Sequence, residues 1–291
     1  MLDHTEIQGG EGEDGVTGSQ IGDTIESDAE DFVSGGSGND SIFEGDVVFG
    51  DAGDDVMSAT RGSANGGTGD DRFEGPGGIG PFAGGPGTDS FELDLGAVST
   101  ANIRFDVENG GLALTTELGS GAFFWSSVDR VELFLADGGT QTVDASKFSG
   151  ALEANGRGGP DVLIGGFGED LLSGGLGDDD LTGNGGFDWV KGEAGADRLR
   201  LRDGEVDRGV CGDDADLAIA DLTDSLVGCE SVDLPAVAVP SIAPPSATDA
   251  TPPDTKGLKG RPGQICDFQV RLHGAWRKLQ VQGRQRPAQV V

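Results

Sequence analysis

Residues 165–183 read GGFGEDLLSGGLGDDDLTG, in which one nine-residue phrase occurs twice: a glycine pair, glycine fourth, aspartate sixth and leucine eighth. A fixed period constrains a chain more than its composition does, because each unit must stack on a neighbour that repeats it. Across the second half the sixth places are Asp161, Asp170, Asp179, Asp188 and Asp197, and the eighth are Leu163, Leu172, Leu181, Val190 and Leu199. Two registers agree at once, one acidic and one aliphatic.

The first half carries the phrase with more departures. GGEGEDGVT (9–17), GGSGNDSIF (35–43), GDAGDDVMS (50–58), GGTGDDRFE (66–74) and GGPGTDSFE (84–92) contribute Asp14, Asp40, Asp55, Asp71 and Asp89, with Val16, Ile42, Met57, Phe73 and Phe91 in eighth place. GSQIGDTIE (18–26) is a weaker copy with Asp23 and Ile25, and EGDVVF (44–49) a shortened one on Asp46. GPGGIGPFA (75–83) keeps Phe82 but has Gly80 where the aspartate belongs, so this unit is expected to bend the chain without supplying a carboxylate.

Local propensity opposes any fold here. Glycine, 54 of 291 residues, loses the most backbone freedom on ordering. The 52 acidic residues against 19 basic ones give a net charge of -33. Such a surface repels nucleic acid and anionic membrane and attracts cations, and a chain this polar and charged stays disordered without help. No apolar run approaches the roughly 20 residues of a membrane span. MLDHTEIQGG is not a signal peptide, and the first repeat begins nine residues in, so the chain is expected to start in mid-array, with a missing leader or another export route.

The phrase GGxGxDxUx, with U a large apolar residue, resembles the RTX or hemolysin-type calcium-binding repeat over roughly residues 9–92 and 156–219. The resemblance implies an all-β parallel β-roll, a right-handed solenoid in which six residues form a calcium-holding turn, three form a strand, and two units complete a coil of 18. Calcium takes six to eight oxygens, and glycine lets main-chain carbonyls converge. The implied metal ligands are Asp14, Asp23, Asp40, Asp55, Asp71, Asp89, Asp161, Asp170, Asp179, Asp188 and Asp197. Ions shared between coils pair Asp161 with Asp179, Asp170 with Asp188, Asp179 with Asp197 and Asp71 with Asp89. The eighth residues fill the interior, and magnesium, needing near-ideal octahedral geometry, fits less well.

Residues 206–232, VDRGVCGDDADLAIADLTDSLVGCESV, resemble the closing segment of actinobacterial calcium-repeat proteins. Gly209 and Asp214 depart from that pattern and leave Asp207 and Asp216 outside the expected ligand set. Cys211 and Cys229 are one coil apart, and in a roll that places them within disulfide reach; two buried free thiols are the alternative.

The expected organisation is a first repeat block (1–92), a strand-rich spacer (93–150), a second block with the cysteine cap (151–233), a Pro/Ala/Ser/Thr linker (234–255) and a basic tail (256–291). The spacer alternates apolar and polar residues, and its continuation of the solenoid without metal is favoured over a separate sandwich. The tail holds eight Lys and Arg against Asp267 alone, so the net charge divides into +7 and -40. It is expected to be disordered, with contact to a cell wall or surface, or to the acidic roll, as rival readings; Cys266 is left unpaired. GEGEDG (10–15) and GPGGIG (75–80) match a dinucleotide fingerprint but lack its strand–helix context. His4 and His273 are the only histidines, with no zinc-protease motif or nucleophile elbow. The expectation is a non-enzymatic, calcium-binding bacterial protein, extracellular or on the cell surface; the alternative is the calcium-responsive folding or secretion module of a longer toxin, protease or lipase.

Overall fold

The computed structural model describes residues 5–9, 12–28, 30–58, 62–75, 81–96, 100–105, 111–116, 119–236, 266–272 and 275–281. Among them there is no helix, and the strands wind a β-solenoid of about 11 turns. Successive strands alternate between a 12-stranded and a 14-stranded sheet. The second-half pairing is parallel and shifts by one coil: Leu163 lies beside Leu181 and Leu181 beside Leu199 in the larger sheet, and Leu172 lies beside Val190 in the other.

Each short strand sends one side chain inward and its neighbours outward. Leu163, Leu172, Leu181, Val190 and Leu199 are all fully buried. So are Ile25, Ile42 and Phe91, with Met57, Phe73 and Phe82 nearly so. The middle of the roll is aromatic. Phe73, Phe82 and Phe91 follow one another at ring separations of 5.4 and 5.5 Å, and Phe91, Trp125, Phe105 and Phe148 continue the series at 5.6, 5.9 and 5.1 Å.

The described residues between 93 and 150 extend both sheets, and they do so with one departure from simple coiling. In the larger sheet Thr100–Phe105, Gly111–Thr116 and Gly119–Ser126 form an antiparallel meander. Its outer members pair in parallel with Thr140–Asp144 and Pro81–Ala83. Antiparallel neighbours accept short connections where parallel ones need a crossover, so these longer alternating strands fold back on themselves. In the other sheet the ladder runs unbroken from Ser90–Asp94 through Arg130–Phe134 to Ala151–Asn155.

The anomalous Gly209 has a structural compensation. It occupies a core rung beside Val190 and Leu226, and a Cβ there would meet the ends of Leu226 and Leu201. Leu201, fully buried, fills the space the missing side chain leaves. Next to this rung Cys211 and Cys229 form a disulfide with Cα atoms 5.1 Å apart.

The chain divides into two compact units, Met1–Ala236 and Val237–Val291. In the second, Cys266–Leu272 and Ala275–Val281 pair as an antiparallel hairpin. The other tail residues, most of the linker, both histidines and residues 76–80 lie outside the described residues.

Closing an 18-residue loop by a disulfide contributes about 3 kcal/mol on the chain-entropy account. Cys229→Ser is therefore expected to lower the thermal midpoint of the roll, measured beside wild type in calcium; equal midpoints would show that the bridge constrains nothing.

Candidate metal centres between the coils

In the regular repeats the chain turns from one sheet to the other through a glycine-rich bend, and the sixth-place aspartate stands where the bend enters the next strand. At the bends leading into the smaller sheet stand Asp23, Asp40, Asp55, Asp71, Asp89, Asp170 and Asp188. Those leading into the larger sheet carry Asp14, Asp161, Asp179 and Asp197. The expected acids of the first half from Asp23 to Asp89 thus lie along one edge, with Asp14 on the other, and the second half presents them along both.

Except for Asp14, which is exposed, all of these side chains are buried to 3% exposure or less. They form ladders in which each backbone N–H donates to the carboxylate one coil further on. The Asp161 N–H donates to Asp179 Oδ1 (2.7 Å), the Asp179 N–H to Asp197 Oδ1 (2.9 Å), and the Asp170 N–H to Asp188 Oδ1 (2.9 Å). In the first half the Asp23, Asp40, Asp55 and Asp71 N–H groups donate to Asp40, Asp55, Asp71 and Asp89 at 2.6–3.0 Å. The coils there are irregular, with partners separated by 17, 15, 16 and 18 positions in sequence.

In eight of these carboxylates one oxygen accepts the ladder hydrogen bond and the other accepts none. Oδ2 of Asp40, Asp55, Asp71, Asp89, Asp161, Asp179, Asp188 and Asp197 is buried and accepts no hydrogen bond. Asp23 Oδ2 accepts from Ser19 N–H and Asp170 Oδ2 from Gly166 N–H, both at 2.6 Å. A buried carboxylate oxygen without a partner is strongly unfavourable, and its neighbours here are oxygens. The space where a Cβ on Gly35 would sit is bordered by both Asp40 Oδ2 and the Gly50 carbonyl; around Gly192 it is bordered by Asp197 Oδ2 and the Cys211 carbonyl. Converging carboxylate and carbonyl oxygens make a donor set for a hard cation such as calcium. The first glycine of each unit is needed because a Cβ on Gly174 would collide with Asp179 Oδ2.

Burial raises the carboxyl groups of Asp40, Asp55, Asp71, Asp89, Asp161, Asp170, Asp179, Asp188 and Asp197 above the ordinary range near 3.9. Desolvation, reinforced by Asp170, Asp207 and Asp203, pushes Asp188 up to about 8. Desolvation likewise brings Asp55 and Asp161 to about 7. It brings Asp71, Asp170, Asp179 and Asp197 to about 6. The backbone N–H donors oppose the shift and lose.

Sequence reasoning missed several acids in the same ladders. Asp31 is fully buried and accepts the Asp14 N–H (2.9 Å); its flank, SDAED, lacks glycine, and the signal was the Asp31–Val33 spacing. Asp129 receives the Asp89 N–H across the meander, 40 residues away. Asp207 and Asp216, set aside for departures nearby, are buried with free Oδ2 atoms and accept the Asp188 and Asp197 N–H groups. Asp46, the shortened copy, is exposed.

The RTX calcium-binding nonapeptide repeat family matches the chain in four copies, over residues 27–43, 45–64, 154–181 and 173–205. No curated protein matches it.

Two predictions follow from the crowding and the charge. Gly174→Ala is expected to weaken calcium binding in a calorimetric titration, whereas Gly138→Ala, where a Cβ meets nothing within 4 Å, leaves it unchanged; equal effects would contradict the steric role. The folded-state carboxyls are raised above their unfolded values, so the ion-free roll takes up protons on folding. Its stability is fullest below about pH 4 and falls as pH rises through about 6 to 8. In chelator, circular dichroism should therefore show more β structure at about pH 5 than at about pH 8, and a flat or opposite profile would refute this.

Proposed function

We infer that the RTX calcium-binding nonapeptide repeats of this chain bind several calcium ions between successive coils, and that the roll folds as they bind. The observation that carries this reading is the series of buried Oδ2 atoms without hydrogen-bond donors, with main-chain carbonyls bordering the same glycine-lined spaces at Asp40, Asp55, Asp89, Asp161 and Asp197. The ligands we assign are Asp23, Asp40, Asp55, Asp71, Asp89, Asp161, Asp170, Asp179, Asp188 and Asp197, joined by the first-glycine carbonyls. Asp14 belongs to the expected set but is exposed at the end of its ladder, so its carboxylate contributes least.

Bound calcium supplies positive charge that neutralises the inward oxygens without a proton. The chain's own groups do the rest. Glycines hold the bends open to the oxygens, each Asp N–H orients the carboxylate of the next coil, and the inward Leu, Val and Phe side chains stack coil on coil. Since the site exists only in the folded roll, its binding free energy is folding free energy.

We place the protein outside the cell or at its surface. The Cys211–Cys229 bridge fits an oxidising compartment, and extracellular calcium modules work at about 10⁻⁴–10⁻³ M. The role is binding and scaffolding rather than catalysis.

The test is circular dichroism and calorimetry with calcium added to chelator-treated protein. Wild type is expected to gain β structure and bind several ions. Asp179→Ala is expected to lower the stoichiometry and raise the midpoint by roughly tenfold or more, with Asp170→Ala acting in the same direction. A spectrum and a heat trace indifferent to calcium would overturn the proposal.

A further inference from the structure

The coil that follows Asp188 breaks the repeat. Its ladder partner, Asp207, lies 19 residues on rather than 18, the first glycine is replaced by buried Leu201, and the added segment carries Asp203. Carboxylate oxygens of Asp188, Asp203 and Asp207 all lie within 4.8 Å of one another. Two oxygens bound to one calcium ion at about 2.4 Å lie at most about 4.8 Å apart, and all three carboxylates meet that limit for sharing an ion.

An acidic cluster alone would mean little. Here Asp188 and Asp207 are buried to 0% and 1% exposure, and each keeps an Oδ2 that accepts no hydrogen bond. No ion pair of the described residues reaches any of the three. Asp203 is held by its own loop, where Oδ1 accepts the Glu205 N–H at 2.8 Å. Glu205 in turn reaches back, its carboxylate accepting the Gly186 N–H at 2.6 Å. The loop is thereby pinned across the preceding bend with its acid facing the ladder.

We propose that Asp188, Asp203 and Asp207 form a tricarboxylate cation site, distinct in composition from the glycine-carbonyl sites of the regular repeats, that takes calcium or a trivalent lanthanide before any other site in the chain. The reason is charge: a third carboxylate comes from outside the repeat phrase, and affinity for a hard cation rises with the number of charged ligands. This inference rests on the calcium reading of the repeats and adds which site fills first.

The neighbouring Trp189 provides the readout. Full-length protein is titrated with terbium alone, and emission sensitised by tryptophan excitation is followed beside a calorimetric calcium titration. Wild type is expected to show a sensitised phase that saturates before the remaining sites fill. Asp203→Asn shifts that phase to roughly tenfold higher terbium, while Asp203→Glu retains it and Asp179→Asn leaves it in place. Trp189→Phe removes the emission and keeps the calorimetric phase. If Asp203→Asn leaves the first phase where it was, while Asp179→Asn still lowers calcium stoichiometry, the tricarboxylate site is wrong and the repeat reading stands. If wild type binds neither metal, both are overturned.

Discussion

The structure depends on one electrostatic problem, negative oxygens stacked in a place that excludes water. At the regular bends a carboxylate is anchored through one oxygen by the preceding coil's N–H, as Asp179 is by Asp161. In most of them the other oxygen is left against glycine backbone with no donor. Protonation or a cation can answer that arrangement. At neutral pH the proton is a poor answer for most of these groups, and a hard divalent ion is a better one.

The hydrophobic part of the fold is subordinate to this. Each coil of regular nine-residue units contributes two inward apolar side chains, one per sheet, and consecutive rungs meet at the interstrand spacing. In the second half the rungs are Leu and Val; toward the centre they become Phe, and Trp125 and Phe148 join where the meander enters. A core this thin cannot by itself offset the ordering of so many glycines. The end of the roll, where the regular phrase fades, has its own devices: Leu201 filling the space beside Gly209, and the Cys211–Cys229 bridge.

Much of this was legible in the chain because a period of nine fixes both the acid and the apolar rung. The pairs Asp161–Asp179, Asp170–Asp188 and Asp71–Asp89 are neighbours in the structure because equal spacing means equal height in a solenoid. What escaped notice was whatever broke the spacing. Asp31 lacked glycines, and Asp129 was separated from Asp89 by an excursion whose strands pair antiparallel, a matter of connection length rather than composition. Asp203 belongs to no repeat, and only three-dimensional winding brings it to Asp188. Leu201 and Gly209 each look like an error in sequence; together they are a size exchange across one core rung.

The most direct test of the central claim is a crystal structure of the calcium-loaded protein with an anomalous difference map. Peaks are expected about 2.3–2.6 Å from the inward oxygens of Asp161, Asp179 and Asp197 and from their facing carbonyls. An intact roll with only water, or with no density, at those oxygens would contradict it.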